Sequence, residues 1–280
     1  MLLEVKDLAF SYRRNEYLLN KVNFEIKPGE VCGLLGKNGS GKSTLLYLLS
    51  GLMLPQIGSV SYNSQLTKHR EPSMLSNMYL LPEEFDLPDV SSDDYVKYNA
   101  PFYPLFSYED FGNYMNIFEL QPVKKLAQYS MGQKKKFIIA FALATQVELL
   151  FMDEPTNGLD IPSKSQFRKA IAMGMGENRS ILISTHQVRD LENMIDRVLV
   201  LHDNTMLLNE SIDNITAKLE FVRAFSKEEL AGCIYSYFTP NGFMGLRPNL
   251  DGKETMVDLE MLFNALVAHP DAIKHLFVEL

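Results

Sequence analysis

Long apolar runs are missing from this chain. Across its 280 residues no stretch reaches the roughly 18 apolar residues that a membrane-spanning helix needs. The opening residues, MLLEVKD, hold no cationic region followed by a long apolar one, so the chain is expected to be soluble and cytosolic by itself. Cysteine is scarce as well. Cys32 and Cys233 have neither metal-ligand nor redox spacing, and both are expected to be reduced core residues. Basic charge is thin: 27 Lys and Arg stand against 35 Asp and Glu, for a net charge of -8. The one basic run, Lys134-Lys135-Lys136, is short, which argues against a nucleic-acid partner, since nonspecific nucleic-acid affinity comes from clustered cations. Internal repeats, low-complexity tracts and long heptad runs are missing too. What remains, 46% hydrophobic and 22% charged, is globular composition, with length for one large core and a small appendage.

Against that background one segment stands out. Gly36, Lys37, Asn38, Gly39, Ser40, Gly41, Lys42, Ser43 and Thr44 read GKNGSGKST between two apolar runs, VCGLL and LLYLL. A loop that grips phosphate between a strand and a helix has this form. Glycines at 36, 39 and 41 permit the close approach and unusual dihedrals that turn consecutive N–H groups into one concavity. Lys42 adds a mobile positive charge, the helix expected over Ser43 to Ser50 adds the partial charge of its N-terminus, and the Ser43 hydroxyl is suited to magnesium. A plain Gly/Ser turn would have no use for the Lys-Ser-Thr run. The chain is therefore expected to bind nucleotide.

Around this loop the pattern is that of an α/β core. Leu3 to Tyr12 and Val22 to Ile26 read as antiparallel strands. Further strands are expected at Ser59 to Tyr62 and Met78 to Leu81, and buried parallel-type strands at Leu149 to Met152, Ile181 to Ser184 and Val198 to Leu201. Ser91 to Thr145 shows helical patterns only and is expected to be a helical subdomain inserted in the core. Nine aromatics between Tyr95 and Phe118 are too many for one helix face; a partner-covered surface patch and the filling of a small subdomain core both account for them. After about Ser211 short strands are expected around Phe221 to Phe225 and Ile234 to Phe238, then a loop through Asn241 to Gly252 and an amphipathic helix from Asp258.

A phosphate loop alone is common to many enzyme classes, and three later segments narrow the choice. Leu149 to Asp160 reads LLFMDEPTNGLD: a buried strand delivers Asp153 to the sheet edge, where it can hold magnesium opposite Ser43. Glu154, one residue on, faces the γ-phosphate and is placed to polarise the attacking water as general base. Such an Asp-Glu pair at a buried strand end would repel itself without a cation. Tyr129 to Gln133 reads YSMGQ before KKKFIIAFALAT. Ser130 is the candidate N-cap and Gly132 a close-approach position, leaving a second helix N-terminus for an anion. Within one chain that is redundant, but it makes sense if it closes over nucleotide held by another copy. Ser184-Thr185-His186 follows an apolar strand on the edge that carries Asp153, so the imidazole of His186 is a candidate γ-phosphate contact.

Together these residues resemble the ATP-binding cassette family, the ATPase subunits of ABC transporters. The resemblance covers roughly residues 1 to 210 and rests on five motifs in the family's order. It implies a P-loop NTPase core with an antiparallel β subdomain, an inserted helical subdomain over about 84-145 and a small C-terminal α+β extension over 211-280. ATP and Mg2+ are the implied ligands. By position, Tyr12 is the aromatic that stacks on adenine, Gly36 to Thr44 the Walker A loop, and Ser130 to Gln133 the signature. Asp153 ends Walker B and joins Ser43 as a metal ligand; Glu154 and His186 are the catalytic carboxylate and switch histidine. Gly158 to Asp160 form the D-loop, with Asp160 among the nucleotide-site residues. Glu83 stands where a glutamine is usual and is assigned to both nucleotide and metal; Met131 stands where a glycine is usual. The pair Pro82-Glu83, the segment FYPLFSYEDF and the terminal LEMLF are similar to exporter-type cassettes of the drug and antibiotic-resistance kind.

The resemblance implies an ATPase working in pairs, most simply a homodimer. It would be peripheral on the cytoplasmic face of the membrane and power a separate integral membrane subunit that docks near Glu83 and the helical subdomain. A soluble cassette ATPase of repair, chromosome organisation or translation would be expected to show coiled coils, tandem cassettes or basic arms, and the sequence shows none. A regulatory module that holds ATP without turnover would not need Lys42, Asp153, Glu154 and His186 together. The C-terminal 70 or so residues are open between a dimerisation element, a regulatory domain and a cover for a sheet edge.

Overall fold

The computed structural model describes residues 1–14 and 16–277. The chain opens with antiparallel β1 (Leu3–Phe10) and β2 (Leu19–Ile26), then enters the apolar β3 (Val31–Leu35) and the helix α1 (Lys42–Leu49). Strands β4 (Ile57–Tyr62) and β5 (Gln65–Leu66) return to the first sheet, whose order is β2-β1-β4-β5. A short helix α2 (Pro72–Leu75) leads to β6 (Met78–Leu81). Among the described residues no strand interrupts the chain from there to β7 (Leu149–Asp153); the interval carries α3 (Ser92–Asn99), α4 (Tyr108–Ile117) and α5 (Met131–Ala144). Helix α6 (Ile161–Gly174) and strands β8 (Ser180–Thr185), β9 (Arg197–His202) and β10 (Thr205–Ser211) complete the central region.

The central sheet has the order β10-β9-β3-β8-β7-β6. Its four pairings from β9 to β6 are parallel and β10 is antiparallel to β9. All residues of β3, β7 and β8 are buried, as unbroken apolar runs require when both faces of a sheet are covered. Because side chains alternate across a strand, each strand feeds two cores. Cys32 and Leu34 pack with Leu45, Leu49 and the first sheet; Val31 and Leu35 pack with Phe137, Phe141 and Phe167 of α5 and α6. The parallel arrangement also brings the ends of β3, β7 and β8 to one edge, with Leu35 beside Thr185 and Asp153 beside Ser184. No helix among the described residues is long and apolar enough to cross a membrane.

Beyond β10 come α7 (Ile212–Lys218), β11 (Leu219–Ala224), β12 (Tyr235–Thr239), β13 (Gly242–Pro248), α8 (Leu259–Ala268) and α9 (Pro270–Lys274). The loop expected over Asn241 to Gly252 is corrected here: most of it is β13, the central strand of a three-stranded antiparallel sheet β11-β13-β12. Its glycines do not break the strand, because pairing on both sides supplies the hydrogen bonds. At Gly245 a Cβ would lie 2.7 Å from Cys233 Sγ and 2.9 Å from Leu230 Cδ2, so a larger residue would have to displace those side chains. Cys233 is half-buried in this extension instead of lying in a core, whereas Cys32 is fully buried, and burial pushes its thiol pKa up. Leu219, Leu246, Leu262 and Ile273 share the core of the central sheet, α9 lies against β10, and α8 lies against the single turn Val188–Asp190.

The aromatics of the helical interval divide. Tyr114 and Phe118 are buried, and Tyr95, Tyr103, Phe106 and Phe111 pack half-buried around the core cluster, several of them edge-on to Phe137 or Phe141. Tyr98, Phe102 and Tyr108 remain exposed.

Candidate functional site

The loop from Gly36 to Thr44 joins the end of β3 to the start of α1 and needs its glycines for different reasons. At Gly36 a Cβ would stand 2.6 Å from Ser40 Oγ and 2.8 Å from the Leu201 carbonyl oxygen. Gly41 is the N-cap of α1 at φ 100 and supplies no side-chain cap, so the first N–H groups of that helix are left to a ligand. Lys42 is buried, and its Nζ donates to the carbonyls of Gly36 at 2.9 Å and Lys37 at 3.2 Å. The buried Ser40 hydroxyl has no protein hydrogen-bond partner among the described residues. Tyr12 sits beside the loop, 65% exposed, its ring edge-on to Phe10 and its hydroxyl 3.1 Å from Thr44 Oγ1.

Opposite the loop, β7 carries the two acids to the sheet edge. Asp153 is buried and its Oδ1 accepts a hydrogen bond from Ser184. Glu154 takes a left-handed φ of 45, uncommon for a residue with a side chain, and its N–H donates to the Ser184 carbonyl at 3.1 Å. Its carboxylate is 4% exposed and held on all sides. Oε1 lies 2.8 Å from His186 Nδ1 and 3.5 Å from Lys42 Nζ, and Oε2 accepts from Thr185 Oγ1 at 3.1 Å. The cation that a buried acid pair requires is thus supplied within the chain by Lys42. Glu83 Oε1 accepts from Asn157 Nδ2 at 2.8 Å.

These groups enclose a cavity of about 510 Å3 lined from the loop side by Tyr12, Asn38, Gly39 and Gly41 to Thr44, and from the other side by Glu83, Glu154 and His186. Gly36, Lys37 and Ser40 shape the loop from behind, and Asp153 lies beneath. The cavity fits a nucleoside triphosphate: a glycine cradle, an uncapped helix start, one lysine and an aromatic at the mouth. For magnesium, Ser43, Asp153 and Glu83 offer the oxygen donors that ion takes. No three His, Cys, Asp or Glu residues come together as a metal-holding group among the described residues.

Ser130, Gly132, Gln133 and Asp160 are not in that cavity. They line a separate hollow of about 370 Å3 with Lys136, Gly158, Leu159 and Ser163. Ser130 is the N-cap of α5, with its side chain accepting from Gln133 N–H and the Gln133 side chain accepting from Ser130 N–H. Ser130 is thus the N-cap that the sequence suggests, and the reciprocal cap with Gln133 satisfies part of the helix start. A Cβ on Gly132 would meet nothing within 4 Å, so the backbone there is open to approach. Asp160 caps α6, and hydrogen bonding from Ser163 holds its carboxyl below the ordinary range.

Four contributors were not anticipated: Ser184 and Thr185 as partners of the two acids, Asn157 as the partner of Glu83, and Lys135, whose ammonium donates to the carbonyls of Glu154 and Asn157. Lys135 belongs to the one basic run, yet helical spacing within α5 turns it inward while Lys134 and Lys136 stay half-buried.

A family model described as ABC transporter matches residues 19–157. The energy-coupling factor transporter ATP-binding protein EcfA of Methanocaldococcus jannaschii is 32% identical over 235 residues, covering 79% of this chain and 83% of that protein. The lantibiotic transport ATP-binding protein SrtF of Streptococcus pyogenes is 29% identical over 220 residues, covering 76% and 92% respectively. Among solved structures, an ATP-binding subunit of an ABC transporter aligns with a TM-score of 0.69 at 27% identity, covering 77% of this chain and 92% of that one. The phosphate loop, the carboxylate edge and these likenesses agree, and the chain belongs to the family of ABC transporter ATP-binding proteins.

Proposed function

We propose that the chain is the ATP-hydrolysing subunit of an ABC transporter and works as a pair of copies, each lending its Ser130 to Gln133 edge to nucleotide held by the other. The observation that carries this reading is the division of the site: the groups suited to phosphate and hydrolysis line one cavity, while the second anion-suited helix start opens into another that shares none of its lining residues, a third hollow lined by Glu83, Asn157, Met131 and Gly132 lying between them.

In this account Lys42 exchanges its bonds to the Gly36 and Lys37 carbonyls for phosphate oxygens, a gain because the acceptor then carries a full negative charge and adds direct attraction to a donor that is already charged. Departure of Lys42 also loosens one contact on Glu154 Oε1, leaving that oxygen to take the proton of the attacking water. His186 then orients the carboxylate through Nδ1, and Thr185 fixes the other oxygen. Ser43 and Asp153, with Glu83, are assigned to Mg2+, which when bound neutralises charge on the phosphates.

An integral membrane subunit is the proposed partner. An apolar hollow of about 670 Å3 between α2 and the Pro101–Tyr103 stretch supports this, lined by Pro72, Leu75 and the exposed Phe102. The direction we assign is export, on the likeness of Pro82-Glu83 and FYPLFSYEDF to that branch, and the lantibiotic transport protein among the relatives is in keeping with it. Mg2+-dependent ATP hydrolysis by the purified chain beside Glu154→Gln tests the assignment of the base: turnover is expected from the first and not the second, and equal rates would sink it.

A further inference from the structure

Among the described residues the catalytic account leaves three buried cations over, Arg179, Arg197 and Lys135, and of these Lys135 is the one that bonds to the turn of Glu154. Lys135 stands a little more than one turn into α5 and is only 8% exposed. Its Nζ donates to Glu154 O and to Asn157 O, both at 2.9 Å. Those carbonyls bracket a tight turn closed by Asn157 N–H on Glu154 O at 3.1 Å, and this turn holds Glu154 at its left-handed φ of 45. A residue in that region persists only where its surroundings over-determine it, and Lys135 is the side chain that clamps both ends. The same turn carries Asn157, whose amide grips Glu83. Burial lowers the pKa of Lys135, while the nearby Glu83, Glu154 and Asp153 act to keep it charged.

We propose that Lys135 is a positioning residue for hydrolysis: anchored on α5, its ammonium fixes the turn that aims the Glu154 carboxylate and so ties the start of α5 to the reacting end of β7. The inference rests on the assignment of Glu154 as the base. Two geometric facts give it direction. Lys135 lines neither the phosphate loop nor the cavity around it and reaches that cavity only through the turn of Glu154 and Asn157, so its removal takes no direct contact from the phosphate loop. Helix α5 is also the element whose N-terminal edge, Ser130 to Gln133, is assigned to the second copy, so a contact at that edge reaches Glu154 through one lysine side chain.

The test compares the full-length wild type with Lys135→Met, which keeps the stem, and Lys135→Arg, which keeps charge and donors, with Glu154→Gln alongside. For Lys135→Met we expect kcat to fall roughly 10- to 100-fold, the scale of a misaimed catalytic group, with KM for ATP within about twofold of wild type. Lys135→Arg should recover most of that loss. Hydrogen exchange at the Asn157 amide should quicken in Lys135→Met while the amides of β3 and β8 stay protected, and this readout needs no turnover. Should Lys135→Met fail to fold, Lys135→Gln, which keeps one donor, is expected to show the same split. Wild-type kcat in Lys135→Met beside a dead Glu154→Gln would overturn the role of Lys135 and leave the base intact, as would unchanged exchange at Asn157 or a loss confined to KM. Full turnover in Glu154→Gln would instead remove the base and this inference with it.

Discussion

The phosphate cavity and the hollow at the starts of α5 and α6 are built on opposite terms. In the larger one the charged groups are buried and already matched within the chain: Lys42 faces Glu154, Asp153 accepts from Ser184, and Glu154 is held by Thr185 and His186. In the smaller one the surface is open. Met131 is 70% exposed, Gly132 has free space above it, and two helix starts, those of α5 and α6, meet there with Ser130 and Asp160 as caps. Chemistry that moves a proton gains from a dry, preorganised setting, whereas a surface that must engage and release another molecule gains from exposure. On the function proposed above, reaction belongs to one side of the chain and recognition to the other.

The largest effect should come from the dry side. Glu154→Gln is expected to lower kcat roughly 10²- to 10⁴-fold while ATP still binds, the range of a lost general base. Steady-state hydrolysis together with a direct nucleotide-binding titration measures both. Next in size, Lys42→Ala should act on binding itself, weakening ATP affinity by about tenfold or more, because a charged donor to phosphate is lost; an unchanged titration would mean the loop grips without its lysine. On the open side, Ser130→Arg should spare ATP binding by one chain and abolish ATP-dependent association, which sedimentation in the presence of nucleotide reports. If a Ser130 variant lost ATP binding by the single chain, the two hollows would not be separate in function.

Much of the dry side was legible because it is local in sequence. The GKNGSGKST loop, its flanking apolar runs and the LLFMDE strand each carry their own pattern, and a parallel sheet brings such strand ends together as a matter of topology. What escaped is long-range. Lys135 meets Glu154 across 19 positions and Asn157 meets Glu83 across 74, and no periodicity reports such pairs. The strand β13 escaped for a different reason: GFMGLRP carries the turn-forming residues of a loop, and its central place in a sheet overrides that preference.

Smaller effects belong to the C-terminal extension. Glu220 and Arg247 pair across β11 and β13 through bonds of 2.7 and 3.0 Å, and the guanidinium holds the Glu220 carboxyl below its ordinary value of 4.5. A lowered folded-state pKa contributes stability above pH 4.5 that is lost as pH falls through the folded value. Glu220→Gln should therefore cost about 1 kcal/mol or less near neutrality, and the gap between its melting temperature and that of the wild type should close as the pH is lowered. The smallest effect is expected for Glu260→Ala. It breaks an exposed 2.8 Å pair with Arg189, on the turn shortly after His186, and such surface pairs contribute about 0–1 kcal/mol. Hydrolysis should change by less than about twofold; a larger change would make the extension part of the working site.

The measurement that tests the division most directly is the solution mass of Glu154→Gln with Mg2+ and ATP, beside the same variant carrying Ser130→Arg. A dimer that forms with ATP in the first and stays a monomer in the second is the predicted result. A monomer in both, with ATP bound, would contradict the assignment of the Ser130 edge to nucleotide held by another copy.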